Sequence, residues 1–103
     1  MSQIQFQRVW VDQCAAAQRV KEHFGLADAL DYLIGEKLLN FAQVAEVRAE
    51  FMHELPDFLQ GIRAVFSLEE TGQYASKLEC RRPLSSLQRN ALRAISSVSP
   101  FVH

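Results

Sequence analysis

Between Leu30 and Ala45 the apolar residues recur at intervals of three and four. That spacing constrains the fold more than any other feature. It gathers side chains on one face of an α-helix, and it does not match the two-residue repeat of a half-buried strand. On a wheel of about 100° per residue with Leu30 as origin, Leu33, Ile34, Leu38, Phe41, Val44 and Ala45 lie within roughly 80° of that origin. They are the predicted core face. Glu36, Asn40, Gln43 and Glu50 fall on the other side, where water is expected.

The same intervals run through the rest of the chain. Phe6, Trp10, Cys14, Ala17, Val20 and Phe24 form one stripe, and Gly25 stands where a helix would stop, with Lys21 and His23 suited to the last turn. A second helix opens near Leu26 to Asp28, with Asp28 as its expected cap, and fades around residues 46–51. Phe51, Leu55, Phe58, Leu59, Ile62 and Val65 keep helical spacing across Pro56. Proline inside a helix removes a hydrogen bond and clashes with the preceding turn, so a break or kink is expected between residues 48 and 56, with Pro56 suited to a first helical position. Ser67 with Glu70, and Ser85 with Gln88, are capping-box pairs, each opening a further helix. The first of these is expected to reach about Leu78, weakened by Gly72. The second uses Leu87, Ala91, Leu92, Ile95 and Val98, with a frayed end at "SVSPFVH". Nothing reads as a strand. The expectation is all-α: a compact bundle of about five helices forming a single domain over residues 1–103.

Gly35 raises a question within the central helix. Glycine there costs about 1 kcal/mol against alanine. On the wheel Gly35, Ala42 and Ala49 repeat every seven residues and make a row of small side chains beside the core stripe, with Leu39 and Tyr32 next to it. Such a row lets another helix backbone come close. Burying Leu39 there, worth about 1.5–3 kcal/mol, offsets the glycine. Two readings stand. In one, a helix of the same chain covers the row. In the other, Tyr32, Gly35, Leu39, Ala42 and Ala49 meet a second copy, since symmetric dimers are common.

The formal net charge of −1 hides a split. Residues 1–76 carry six basic and eleven acidic side chains, whereas Lys77, Arg81, Arg82, Arg89 and Arg93 face only Glu79 in residues 77–103. Arg81 and Arg82 precede a helix start where free amides and Ser85 could hold a phosphate, and Arg89 and Arg93 share one helical face. This is a candidate contact for nucleic acid or an acidic partner. Against nucleic acid stand the acidic remainder of the chain, which would repel it, and a connection too long and proline-bearing for an ordinary helix-turn-helix. The alternative is that the basic end docks on the acidic body of its own chain.

Little points to chemistry. Glu50 and His53 give one Glu-x-x-His pair, where di-iron bundles need two such pairs and two more carboxylates. Cys14 lies on an apolar stripe and reads as a small core residue, while Cys80 beside Arg81 and Arg82 has no base to activate it. No phosphate loop or nucleophile elbow is present. No enzyme activity, metal or cofactor is expected. No run is apolar enough for a signal peptide or a membrane span, and two distant cysteines make no disulfide framework, so the expected compartment is the cytoplasm.

The run "DALDYLIGEKLLNFAQVAE", followed by "ELPDFLQGIRAVFSLEE", resembles small uncharacterised helical proteins of bacteria over residues 20–75. The resemblance implies a bacterial, all-helical domain and transfers no functional residue. The leading expectation is thus a protein–protein interaction or self-association module, a homodimer built on helix 28–48. The alternative is a nucleic-acid-binding accessory protein using the basic C-terminal segment.

Overall fold

Gly25 decides where the first helix stops. In the computed structural model, which describes residues 9–81 and 83–96, helix α1 (Val9–Phe24) ends on a glycine with φ 102° and ψ 172°, a conformation open essentially to glycine alone. Its N–H donates to the Lys21 carbonyl at 3.2 Å, closing α1. Its own carbonyl accepts from Ala29 N–H at 3.3 Å, opening the next helix. Gly25, not Asp28, is therefore the cap of that helix, and Asp28 is an exposed residue of its first turn. Phe24 does not complete the α1 stripe: it is 72% exposed. Phe6 lies outside the described residues.

Residues 26–47 make one rod with three parts: α2 (Leu26–Leu30), a π-helical segment (Asp31–Leu38) and α3 (Leu39–Val47). Leu30, Asp31, Leu38 and Leu39 all keep right-handed helical dihedrals, so the rod does not break at either junction. The π segment nevertheless changes what faces inward. Its wider turns take up extra chain, and every residue beyond it lags the 3.6-residue wheel. A lag of one residue, roughly 100°, turns Leu39 and Ala42 into the core and Val44 out of it. That is the observed pattern. Leu39 and Ala42 are buried, Ala45 stays buried, and Val44 is 40% exposed where the uncorrected wheel predicts core. Gly35 sits inside the segment, where the α-helical bonding pattern is replaced.

The break before Pro56 is present. Arg48 is extended at φ −125° and ψ 92°, a 3-10 turn follows (Ala49–His53), and α4 (Leu55–Val65) starts with Pro56 in its first turn. Both capping boxes form. Glu70 N–H donates to Ser67 Oγ at 3.1 Å and Ser67 N–H to the Glu70 carboxylate at 2.8 Å, opening α5 (Leu68–Arg81). Gln88 N–H donates to Ser85 Oγ at 3.2 Å and Ser85 N–H to Gln88 Oε1 at 2.9 Å, opening α6 (Ser86–Ser96). Helix α5 runs three residues past the expected Leu78. The helix runs through Gly72, which serves a close approach: a Cβ there would stand 3.3 Å from the Ser96 carbonyl oxygen. Val98 and the end expected to fray lie outside the described residues.

The result is the expected all-α bundle, five helical rods and no strand among the described residues, with a radius of gyration of 13.2 Å. That is the value of about 13 Å typical for a compact domain of this length. Helix α1 packs on α2, the π segment and α4, while α6 packs on α3, α4 and α5. The completely buried Leu33, Ile34, Leu38, Phe58, Ile62, Leu92 and Ile95 fill the space between them.

Candidate interaction surfaces

The small-residue row does not survive as a row. Ala49 lies in the 3-10 turn beyond the extended Arg48 and is exposed. Ala42 and Leu39 are buried within the chain, and Gly35 and Tyr32 are half-buried, Tyr32 packing against the core with Lys37 Nζ 5.4 Å from its ring centre. The helix lying against Leu39 is α6: Gln88 Nε2 donates to the Leu39 carbonyl at 3.1 Å. Of the two readings, packing within the chain accounts for Leu39 and Ala42. Neither presents a side chain to a second copy.

The phase lag puts other apolar residues outside instead. Val47 is 82% exposed at the end of α3, with Val44 one turn before it and Met52 in the 3-10 turn also open to water. In the same two elements Phe41 of α3 and Phe51 of the 3-10 turn meet edge to face at 6.1 Å, and Phe41 meets Phe58 at 5.1 Å. Glu46, Arg48 and Glu50, all exposed, are close by in sequence. Arg48 donates two hydrogen bonds to Glu50 Oε1, at 2.9 and 3.1 Å. The Glu50 carboxyl is held below its ordinary value by a hydrogen bond from the backbone and then by Arg48. The sequence gives no sign of the exposed valines, because a wheel of constant pitch assigns Val44 to the core and leaves Val47 without a role.

The basic residues divide. Arg81 is the exposed last residue of α5, and Arg82 lies outside the described residues. Ser85 is committed to its capping box, and its hydroxyl also donates to the Glu46 carboxylate, which ties the start of α6 to α3. That leaves it poorly placed to hold a phosphate. Arg89 and Arg93 do share one face of α6. With Glu79, Pro83 and Leu84 they line a cleft of about 320 Å³.

Glu50 and His53 lie in the 3-10 turn, and no group of three potential metal ligands occurs among the described residues. Cys14 is half-buried, and burial pushes its thiol up to about 11, away from the reactive thiolate. Cys80 is exposed. The one buried polar side chain among the described residues, Thr71, donates to the Ile95 carbonyl and is structural. No helix of the described residues is long and apolar enough to cross a membrane. No protein-family model, no curated protein and no solved structure matches this chain.

Proposed function

We propose that this chain is a protein–protein interaction module that self-associates through the C-terminal end of the central rod. The observation that carries the reading is Val47, 82% exposed at the end of α3, with Val44 one turn before it and Met52 in the following 3-10 turn also open to water. Scattered exposed apolar residues need no explanation, but several together on ordered backbone favour a contact. A second copy suits this patch because the residues beside it in sequence carry both signs. A two-fold contact brings Arg48 of each copy toward Glu46 and Glu50 of the other, so one surface complements itself.

The reading keeps the helix of the sequence-based expectation and changes its face. Leu39, being buried, reports only on folding, whereas Val47 can be changed without disturbing the core. Sedimentation velocity up to high micromolar concentration tests the idea. The sedimentation coefficient should rise with concentration toward that of a dimer, and Val47→Glu should hold the chain monomeric with its melting curve unchanged. A strict monomer over the whole range sinks the proposal.

A further inference from the structure

We infer that the cleft between α5 and α6 is a docking site for an acidic peptide segment of a partner protein. Its walls differ in chemistry. On one side Arg89 and Arg93 stand one turn apart on α6, and on the other Glu79 stands on α5. Pro83 and Leu84 line it between them, and Leu84 is anchored by packing on the core. Arg89 is directed back over this connection, because its Nη2 donates to the Leu84 carbonyl at 3.0 Å. A guanidinium has five N–H donors, so one such bond fixes its direction and leaves donors for a carboxylate.

Size and surroundings select the ligand. A volume of about 320 Å³ admits one or two side chains. A glutamate fits that space chemically: its methylenes can lie on Pro83 and Leu84 while its carboxylate meets the arginines. A nucleic-acid backbone fits less well. Ser85 is spent on the capping box and on Glu46, Glu79 sits in the lining, and residues 1–76 carry eleven acidic against six basic side chains. A long polyanion is repelled by that body, whereas a short acidic segment meets only the basic end, where Lys77 and Arg81 add to the local field. The site is separate from the exposed end of α3, and its test does not depend on self-association.

The probe is a fluorescein-labelled peptide alternating Glu and Leu, titrated with the full chain at low salt and followed by anisotropy. A Gln–Leu peptide and a single-stranded DNA oligonucleotide of similar length serve as comparisons. The acidic peptide should bind saturably, and Arg89→Ala with Arg93→Ala should weaken it about tenfold, the scale of two partly exposed ion pairs. Removing the same charge outside the cleft, with Lys77→Ala and Arg81→Ala, should change binding about twofold at most. Glu79→Gln should tighten it. Should loss of the Leu84 contact unfold the alanine pair, Arg89→Lys with Arg93→Lys keeps the charge and removes the fork, and should still weaken binding. Failure of the peptide to saturate, equal loss from both pairs, or tighter binding of the DNA each overturns the inference.

Discussion

Two helices of this bundle are each tied by hydrogen bonds at both ends, but they differ in what lies between. Helix α4 is held to α1 by Trp10 Nε1, which donates to the Glu54 carboxylate at 3.0 Å, and by Lys21 Nζ, which donates to the Val65 carbonyl at 2.9 Å. Between these bonds α4 meets α1 across a missing side chain. A Cβ at Gly61 would lie 3.0 Å from Cys14 Sγ and 3.6 Å from the Trp10 ring, and one turn earlier Phe58 stacks on Trp10 at 6.3 Å. Helix α6 has directed hydrogen bonds at both ends and buried Ala91, Leu92 and Ile95 between them, with no notch. At its start Gln88 holds the Leu39 carbonyl and Ser85 holds Glu46. At its end Thr71 donates to the Ile95 carbonyl and Arg63 to the Ala94 carbonyl at 2.9 Å. Those two carbonyls belong to the last described turn of α6. The middle of the α1–α4 contact is set by shape, so added volume should break it. The end of α6 is set by donors and acceptors, so loss of a polar atom should loosen it.

The largest effect should come from filling the notch. Gly61→Val places methyl groups where the Cys14 sulfur and the Trp10 ring now sit. It should destabilise the fold by about 2–3 kcal/mol in urea unfolding, despite the helix propensity gained over glycine. Adding Cys14→Ala should recover part of that loss, because it removes the atom being struck. Additive effects in the double variant would mean that α1 and α4 do not meet at these two residues.

A smaller effect should follow at α6. Thr71→Val keeps shape and volume and removes only the hydroxyl, leaving the Ile95 carbonyl without that donor. The expected loss is about 1–2 kcal/mol, the cost of a buried acceptor left unmade. Amide exchange should rise most in the last turn of α6. Unchanged stability would show that apolar packing alone seats α6, and would erase the distinction drawn above.

These contacts differ in how far the sequence reveals them. The capping boxes at Ser67 and Ser85, the stop at Gly25 and the break before Pro56 are local chemistry, and each is legible because its partners lie within a few residues. The π segment is not legible, because nothing in "DYLIGEKL" distinguishes a wider turn from an α-turn. One residue of phase lag then shifts the positions beyond it, which is why the constant-pitch wheel puts Val44 inside and Leu39 and Ala42 beside the core face, while Ala45 stays on it. The Gly61 notch is also hidden: in sequence it is one glycine in a helix, and only the crossing of α1 shows why it stands there. Arg89 and Arg93 are legible as a shared face, but the cleft needs Glu79 and Leu84 brought in from outside α6.

The least disruptive test of the α1–α4 contact uses pH. Cys14 lies in it half-buried, and desolvation raises its thiol from the ordinary 9.0 to about 11. The folded chain thus keeps the proton over a range where the unfolded chain releases it. Because the unfolded state then binds fewer protons, stability must fall as pH rises. The contribution is fully present below about pH 9 and is lost progressively toward pH 11. Urea unfolding at about pH 8 and about pH 10 should therefore show a larger loss for the natural chain than for Cys14→Ala, in which no thiol titrates at this position. Every other titratable group is common to both proteins and drops out of the difference. An equal loss in the two would mean that the thiol is as well hydrated folded as unfolded. The notch at Gly61 would then hold water beside the sulfur instead of a close helix contact.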